Sequence, residues 1–488
     1  MLRLEEWLAD NQLIPSWIGG RWIEPPGAER LAVSQPATGM TIAEVAYGGN
    51  DAATAAGDAA ATALPMWAEQ PPRRRADVLC RAADILASRA STIGRVLAAE
   101  TGKRLSEAVS EVHFGAEYLR WFGEEARRPQ GSVLSGEDPN RRHVTFARPV
   151  GVAVCLSPWN FPVSIQARKL APALAAGCSA VCRGSEKAPL AILELFSALE
   201  DAGLPPGVAN VIQGPAVSQV ASLLAHRAVR AVSFTGSTAV GSHVMALAAQ
   251  RIVRCSLELG GSAPFIVFAD ADLEVAVRDL LAAKLRNNGQ SCIAANHVMI
   301  EGSIFDEFCQ RLTTAVTTLV VGDPLADPEP DVGPLINMAR VDAVESLVDE
   351  ALQHGASWLG ASPSLPVVGT YTRPGFLRDV PVESAMSNSE VFGPVAAIFR
   401  FGDEDEVVAQ ANRTELGLAA FVYTRNISRG WRLAERLEAG IIGLNHPVPS
   451  VVFAPMGGVK QSGFGREGAR PGLEEFLDTR YLSIGVDE

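Results

Sequence analysis

The segment GVAVCLSPWNFPVSIQARKLAPALAAGCSAVCR, residues 151–183, indicates the fold class. Val152–Leu156 is a short apolar run typical of a buried strand, and Pro162–Ala176 places its apolar residues at helical spacing. Residues 180–182 form a second apolar run. A strand, a helix and another strand in this order predict a β-α-β unit, whose two strands are parallel.

The same alternation continues along the chain. Residues 190–202 have helical spacing, while residues 208–212 and 231–234 read as further buried strands. Repeated β-α-β units predict a parallel sheet with helices on both faces and ligands at the carboxyl ends of its strands. A second α/β series begins at residues 264–268 and runs to about Val448. We therefore predict an α/β protein with a Rossmann-like parallel-sheet domain and a second α/β domain.

The remaining segments flank these two units. Residues 1–50 read as an arm with short strands, and residues 51–128 as an Ala-rich helical scaffold. Breaks in this helical region are predicted at Gly57, Pro65, Pro71-Pro72 and Gly102. Residues 129–148 read as a β-hairpin, and residues 476–484 as a strand-like tail. A lone hairpin is marginally stable, so we expect it to meet a partner.

Composition excludes several classes of function. The chain has 488 residues, too many for one core, and a net charge of −13 that disfavours nucleic acid and anionic membranes as partners. No apolar run approaches the roughly 20 residues of a membrane span. Met1 to Glu6 lack the basic and apolar order of a signal peptide, so we expect a cytoplasmic protein. Seven unpatterned cysteines without Cys-x-x-Cys or His-Glu-x-x-His give no support for a metal site.

Three residues in separate motifs have complementary chemistry. Cys292 lies in LRNNGQSCIAAN, residues 285–296, a Gly-containing connection between a helical and a strand-like run. Glu258 belongs to LELGG, residues 257–261, and Asn160 to SPWNFP, residues 157–162. A thiol nucleophile, a carboxylate base and an amide that holds an oxyanion are what acyl chemistry on sulfur requires. The alternatives are an inert buried thiol, an ion-paired carboxylate and a turn-capping amide.

Five motifs together resemble the aldehyde dehydrogenase superfamily. Besides SPWNFP and LELGG they are FTGSTAVG at 234–241, GQSC at 289–292 and EVFGPV at 390–395, in the order and spacing of that family. The resemblance implies an NAD(P)-binding domain of residues 1–128 and 149–260 and a catalytic domain of residues 261–448. It also implies an arm, 129–148, and a tail, 449–488, that join subunits into a homodimer or homotetramer. In that family the tail completes the hairpin sheet of a neighbouring subunit.

The resemblance assigns the catalytic roles. Cys292 attacks the aldehyde carbon to give a thiohemiacetal, whose oxyanion is held by the Asn160 side chain and the Cys292 amide. Glu258 then activates the water that hydrolyses the thioester; relatives that transfer the acyl group to coenzyme A lack this glutamate. Ile293 and Ala294 follow the nucleophile, so we expect no disulfide switch in this loop.

The cofactor site is implied by the same resemblance. The one Gly-x-Gly-x-x-Gly match, residues 463–468, follows no apolar strand and is interpreted as a loop. Instead, the turn after residues 231–234 opens a helix that can face a pyrophosphate. NAD is the expected cofactor and NADP the alternative, because Arg183-Gly184 replaces the usual Lys-Pro. Trp159 as plain core and Glu390 as surface charge remain alternatives. The implied cofactor residues are Trp159, Arg183, Ser185, Glu186, Gly236, Ser237, Gly241, Glu390 and Phe392.

The substrate follows from similarity to the succinate-semialdehyde dehydrogenase branch. That branch binds a remote carboxylate with two arginines and a serine, which match Arg168, Arg286 and Ser450. Two guanidinium groups at the site of an acidic protein favour an anionic aldehyde. Each arginine taken alone also fits a surface salt bridge. Succinate semialdehyde is the predicted substrate. The alternatives are glutarate semialdehyde, an α-keto, sulfonated, phosphonated or uncharged aldehyde, and a non-catalytic cofactor-binding or structural protein.

Overall fold

The structure is a computed structural model that describes residues 13–128, 131–360 and 364–486. The prediction on Met1 to Glu6 and the first two residues of the predicted hairpin segment lie outside the described residues. No helix in the described part of the chain is long and apolar enough to cross a membrane.

The helices of the described chain lie mainly between strands. In chain order they are α1 (Asn50–Ala68), α2 (Pro72–Ser88), α3 (Ala90–Thr101), α4 (Leu105–Glu125), α5 (Pro162–Ala176), α6 (Leu193–Asp201), α7 (Ala216–Ala225), α8 (Thr238–Ala249), α9 (Leu273–Leu285), α10 (Phe305–Thr317), α11 (Met338–Gln353), α12 (Glu404–Asn412), α13 (Ile427–Arg436) and α14 (Ala469–Glu474).

The strands are short and mostly buried in two large sheets. In chain order they are β1 (Ser16–Ile18), β2 (Arg21–Ile23), β3 (Glu29–Ser34), β4 (Thr41–Tyr47), β5 (Gly131–Leu134), β6 (Arg141–Pro149), β7 (Val152–Leu156), β8 (Ser179–Arg183), β9 (Ala209–Ile212), β10 (Val229–Thr235), β11 (Arg254–Glu258), β12 (Ala263–Val267), β13 (Ala295–Glu301), β14 (Ser357–Leu359), β15 (Gly375–Arg378), β16 (Val395–Phe401), β17 (Leu416–Gly417), β18 (Ala419–Tyr423), β19 (Ile441–Leu444), β20 (Val459–Lys460), β21 (Gly463–Phe464) and β22 (Leu477–Gly485).

The first large sheet has the order β2-β1-β9-β8-β7-β10-β11-β21. Its five central strands are parallel, and β7 is buried at every residue, which confirms the predicted parallel sheet. Because parallel strands end at one edge, the segments after Leu156, Arg183, Thr235 and Glu258 lie together there. This edge collects most of the predicted site residues.

The second large sheet has the order β14-β15-β16-β13-β12-β18-β19. Strands β12 and β13 are parallel neighbours, and the connection between them contains α9, a 3-10 turn at Arg286–Gly289, and Cys292. The two parallel-strand sheets confirm the predicted fold class. The exact division at residue 260 stays a prediction, although β11 and β12 belong to different sheets.

The predicted breaks in the helical region are half wrong. Helix α1 continues through Gly57 and Pro65 and ends only at Ala68, whereas Pro71 and Gly102 do lie between helices. A Cβ at Gly57 would lie 3.1 Å from the His226 ring, so close packing explains this glycine. Pro65 stands in the last turn, where it removes one backbone hydrogen bond without ending the helix before Ala68.

Two peripheral predictions are corrected by strand pairing. The tail strand β22 pairs along its whole length with β6 of its own chain, whereas the resemblance implied the hairpin of a neighbouring subunit. Within residues 1–50, β1 is more than an arm, because it pairs with β9 of the first sheet. Residues 463–468 form a loop as predicted, except that Gly463–Phe464 adds a two-residue strand beside β11 and Glu467 forms a β-bridge with Met456.

Candidate active site

A strained turn presents Cys292. Asn287 (φ 51°) and Asn288 (φ 57°) adopt left-handed conformations, as does Gly289 after them. Asparagine tolerates this region better than other side chains, and both amides are bonded. The Asn288 amide donates to the carbonyls of Gly102 (2.8 Å) and Pro334 (2.9 Å). The turn thereby fixes Cys292 half-buried at the wall of a cavity of about 350 Å³, which we call the Trp159 cavity.

Asn160 lies beside the same loop. Its side-chain Nδ2 donates to the Gln290 carbonyl at 3.1 Å, and it shares the wall of the Trp159 cavity with Cys292. Its backbone carbonyl accepts from Asn287 Nδ2 (2.9 Å) and from Lys103 Nζ (2.7 Å). These bonds tie Asn160 to its surroundings through side chain and backbone, so a simple turn cap does not describe it.

Lys103 and Glu111 are functional candidates that the sequence analysis missed. They form an ion pair inside the protein, with Lys103 fully buried. Glu111 accepts from the amides of Val163 (3.0 Å) and Ser164 (3.3 Å) at the start of α5. Lys103 bonds the Asn160 carbonyl and Glu111 bonds the amides that follow it, so the ion pair fixes both ends of the segment 160–164. The only available signal was a charged pair eight residues apart in a helical region, which is also typical of a solvated face.

Glu258 ends strand β11 and is buried, with 2% exposure. No described residue donates a hydrogen bond to either of its carboxylate oxygens. Burial, followed by the nearby Glu467 carboxylate, raises the pKa of Glu258 to about 8, while Arg168 and Lys169 oppose this change. A structural carboxylate bonded directly to a cation is therefore not what the structure shows. The group can exchange a proton near neutral pH.

The thiol of Cys292 needs a base. Burial, then the Glu390 carboxylate, raises its pKa to about 12, although Arg168 acts in the opposite direction. A thiol with that pKa is protonated at neutral pH, and the thiolate is the nucleophile. The Glu258 carboxylate also acts on this thiol and raises its pKa.

The Trp159 cavity is also lined by Trp159, Gly236, Ser237, Glu390 and Phe392. The indole of Trp159 and the Phe392 ring meet edge to face, with centroids 5.5 Å apart. Ser237 caps α8 by accepting from Val240 N at 3.4 Å. Trp159 is thus a cavity residue and not plain core.

Glu390 is held inside the cavity and is not a surface charge. A Cβ at Gly260 would lie 2.7 Å from Glu390 Oε2, so the glycine leaves room for the carboxylate. No described residue pairs with its buried Oε1. Burial raises the pKa of Glu390 to about 7. Fully buried Lys284 acts on Glu390 and donates to Asn296 Oδ1 at 2.8 Å; it is another residue the sequence analysis missed.

Four predicted cofactor residues do not line the Trp159 cavity. Gly241 packs under Leu259, where a Cβ would be 2.3 Å from Leu259 Cδ2. Arg183 and the buried Ser185 lie at the end of β8 with Glu186. Arg183 donates to the carbonyls of Gly214 (2.7 Å) and Gly184 (2.9 Å) and to Glu186 Oε2 (3.0 Å). Burial acts to raise the pKa of Glu186, but its own amide and Arg183 hold it below the usual value.

A second cavity of about 730 Å³, which we call the Arg286 cavity, has Arg286 and Ser450 in its wall. The Arg286 guanidinium lies 5.0 Å from the centre of the Phe161 ring and forms no ion pair with any described carboxylate. Arg168 is placed differently, since it is 4% exposed and its Nε lies 2.6 Å from Glu467 Oε2. Glu467 also accepts from Lys169 and from Ser233 Oγ (2.8 Å). No cluster of metal-ligating side chains occurs in the described part of the chain.

Comparisons with known proteins agree with this geometry. The model of the aldehyde dehydrogenase family matches residues 22–482. An NADP-dependent succinate-semialdehyde dehydrogenase from Escherichia coli is 40% identical over 96% of this chain and 97% of its own length. A 3-sulfolactaldehyde dehydrogenase from Pseudomonas putida is 39% identical over 96% of both chains.

A solved structure gives the same result in three dimensions. The crystal structure of a succinate-semialdehyde dehydrogenase from Burkholderia pseudomallei superposes with a TM-score of 0.95 at 39% identity, over 98% of this chain and 99% of the other. Family model, sequence relatives and structure cover nearly the whole chain. The chain belongs to the aldehyde dehydrogenase family and is an oxidoreductase.

Proposed function

We propose that this protein oxidises a semialdehyde with a remote carboxylate to the corresponding acid, with succinate semialdehyde as the preferred substrate and NAD as the cofactor. The observation that carries the proposal is the arrangement around Cys292. A thiol and an amide donor share one cavity, and a buried carboxylate without a hydrogen-bond donor acts on the same thiol. A non-catalytic or purely structural role is disfavoured, because all three chemical groups are in place.

The Trp159 cavity fits a nicotinamide dinucleotide. The N-terminus of α8 after Gly236 and Ser237 offers amides for a pyrophosphate, and Glu390 offers an unpartnered buried oxygen for a ribose hydroxyl. Trp159 and Phe392 form the adjoining aromatic wall. When bound, the nicotinamide accepts the hydride that leaves the substrate carbon. The residues of the chain bind it, orient it and exclude water.

The side chains perform the remaining steps. Glu258 takes the thiol proton, and Cys292 Sγ attacks the aldehyde carbon to form a thiohemiacetal. Asn160 Nδ2 and the Cys292 amide stabilise the oxyanion. After oxidation to a thioester, Glu258 releases the thiol proton to solvent. It then takes a proton from water, the hydroxide oxygen attacks the acyl carbon, and the C–S bond breaks to release the acid and the Cys292 thiolate. Because Glu258 must be ionised for this step, turnover is expected to rise with pH toward about 8.

Arg286, Ser450 and Arg168 support an anionic substrate. Arg286 lines the Arg286 cavity and forms no ion pair with a described carboxylate, which favours an anion there. Glutarate semialdehyde and α-keto, sulfonated or phosphonated aldehydes present similar anions and remain the alternatives, followed by uncharged aldehydes. The relatives named for succinate semialdehyde and for sulfolactaldehyde are consistent with this set.

We also propose NAD over NADP and a homo-oligomer. Arg183 has its donors occupied by two carbonyls and Glu186, so it is poorly placed to receive a 2′-phosphate. The relative from Escherichia coli is named for NADP, which makes this preference a point to test. Val133 on the edge strand β5 is 79% exposed, and this edge is suited to strand pairing between subunits in a dimer or tetramer.

The test is a screen of purified protein against succinate semialdehyde, its alternatives and uncharged aldehydes, each with NAD and with NADP. A burst experiment on Glu258→Gln completes it. One equivalent of reduced cofactor should form quickly, and turnover should then stall at the thioester. Oxidation of no aldehyde would contradict the proposed function. Full steady-state turnover without a burst would remove Glu258 from the hydrolytic step.

A further inference from the structure

Glu107 lies far from the catalytic motifs in sequence but bonds the turn that presents Cys292. Its Oε2 accepts a hydrogen bond from the Asn287 amide at 2.9 Å, across 180 residues of chain. Glu107 stands in the first turn of α4, and Asn287 comes just after α9 ends at Leu285. Glu107 belongs to the predicted helical scaffold and takes no part in the proposed chemical steps.

The turn 286–289 depends on such bonds because its backbone is unusual. Asn287, Asn288 and Gly289 are three consecutive residues with positive φ. Residues other than glycine are unfavourable in this conformation and persist there only where the surrounding structure holds them. The side-chain amides of both asparagines donate to carbonyls of neighbouring segments. The Glu107 carboxylate adds a bond to the backbone of the first left-handed residue, where the chain leaves α9.

A second contact orients the Glu107 carboxylate. Its Oε1 accepts from Arg104 Nη2 at 2.7 Å, and the Glu107 side chain is 18% exposed. A hydrogen bond from an amide to a charged carboxylate is roughly twice as strong as one between neutral groups. Arg104 and Glu107 also line the Arg286 cavity, together with Arg286 itself. One ion pair therefore joins the wall of that cavity to the turn that leads to Cys292.

We propose that Glu107 is a positioning residue, which fixes the turn 286–289 and thereby sets the place of Cys292 Sγ relative to the Asn160 side chain. The inference rests on the proposed function, in which Cys292 is the nucleophile. Glu107 does not line the Trp159 cavity, so it acts through the turn. Its loss is expected to slow formation of the thioester and to leave cofactor affinity unchanged.

The test compares Glu107→Ala with Glu107→Gln. The rate of reduced-cofactor formation is measured in a single turnover, with protein and NAD in excess over succinate semialdehyde. Glu107→Ala should slow it by about tenfold to a hundredfold, because small displacements of reacting groups are costly. Glu107→Gln keeps an oxygen for the Asn287 amide, and Arg104, whose side chain is 31% exposed, can turn to solvent. This conservative variant should restore the rate to within about threefold of the wild type, since it loses only the charge of the bond.

Glu329→Ala is the matched control. Glu329 accepts from the amide (2.8 Å) and the hydroxyl (2.6 Å) of Ser106, in the first turn of α4. Like Glu107, it bonds one backbone amide and one side chain, but both belong to Ser106 and neither to the turn 286–289. Its loss perturbs the start of the helix alone, so the single-turnover rate should not change.

Alkylation by iodoacetamide measures the placement of the thiol without turnover. A looser turn should expose Cys292, so mass spectrometry of its peptide should show faster alkylation in Glu107→Ala. Cys80 is also half-buried and should react as in the wild type, because it lies on α2, away from the turn. Glu107→Gln should return the alkylation of Cys292 close to that of the wild type.

Four results would overturn the proposal. They are unchanged rates in Glu107→Ala, faster alkylation of both thiols, a loss as large in Glu329→Ala, and no recovery in Glu107→Gln. The last three would show that Glu107 only stabilises the fold. A wild type that oxidises no aldehyde, but whose Cys292 alkylation rises in Glu107→Ala and recovers in Glu107→Gln, would contradict the proposed function alone.

Discussion

The Trp159 cavity and the Arg286 cavity adjoin the segment 158–161, but they are built in different ways. About half of the lining of the Trp159 cavity consists of residues at or after the ends of parallel strands, and the rest comes from the region at the start of α11 and from the segments around Cys292 and Glu390. The Arg286 cavity draws its wall from α4, from the end of α9 and from the loop around Ser450. About half of the first site thus follows from the topology of one sheet edge. The second depends on how three distant segments pack, which allows its residues to vary without changing the fold.

The largest expected effect tests the cavity wall that bears the nucleophile. Cys292→Ala should abolish turnover, because no other described thiol lines the Trp159 cavity. Cofactor affinity, measured by fluorescence titration, should stay within a few fold, since the implied cofactor residues are untouched. Unchanged turnover would mean that the nucleophile has been misassigned.

The next largest effect tests whether the Lys103–Glu111 pair positions the Asn160 side chain, the proposed oxyanion donor. Asn160→Ala should slow the burst of reduced cofactor by about 10²–10³, the range known for loss of one oxyanion donor. Lys103→Met should slow it by about tenfold or more, because it releases the Asn160 carbonyl. Glu111→Gln is added to Lys103→Met so that no buried carboxylate is left unpaired.

Combining Lys103→Met with Asn160→Ala separates a positioning role of Lys103 from a purely structural one. If Lys103 acts through Asn160, then Lys103→Met should add little to Asn160→Ala in the burst rate. Independent, additive losses, or a fall in cofactor affinity of the same size, would show that Lys103 has a purely structural role. Rapid-mixing fluorescence of the reduced cofactor gives both rates.

The two cavities also differ in how far the sequence could predict them. Cys292, Glu258 and Asn160 lie in local motifs, and strand order alone brings the last two to one edge. Lys103, Glu111 and Glu467 contribute through partners more than 50 residues away in the chain. Their types and spacing are equally typical of an exposed helix face or a loop. Burial decides their role, and burial depends on helix packing that no single segment encodes.

The difference between local motifs and long-range packing also explains the errors in the predicted fold. Pro65 and Gly57 have local preferences against helix, but packing against neighbouring elements decides the outcome. The strands of the first sheet were predictable because each is a short apolar run flanked by turns. The pairing of β22 with β6 was assigned to another subunit, because sequence gives a strand but not its partner.

Replacement of Arg286 or Arg168 is expected to have an intermediate effect on kcat/KM. Arg286→Ala should lower kcat/KM for succinate semialdehyde by roughly 2–5 kcal/mol, the cost of truncating one partner of a buried charge pair, and should leave an uncharged aldehyde unaffected. Arg168→Ala should cost a similar amount on the anionic substrate. It should also impair the uncharged one, because Glu467 loses an ion-pair partner beside Glu258. Equal losses of kcat/KM on both substrates in both variants would show that the arginines are structural. Arg286 and Arg168 would then not differ in role.

The smallest expected effect concerns the adenosine end of the cofactor, where Arg183-Gly184 replaces the usual Lys-Pro. A 2′-phosphate next to Glu186 would meet a carboxylate, and two like charges about 4 Å apart cost about 4 kcal/mol at an effective dielectric near 20. Arg183, bound to Glu186 at 3.0 Å, offsets much of this repulsion, so the preference for NAD should be only about tenfold. Glu186→Ser should narrow or invert it, because the repulsion disappears and one guanidinium N–H becomes available to a phosphate. Glu186→Gln, which keeps the size and removes the charge, is the control, and kcat/KM with each cofactor is the measurement. A wild type that prefers NADP would mean that Arg183 leaves its carbonyl partners to bind the 2′-phosphate, and the occupied donors seen here would then describe only the cofactor-free protein.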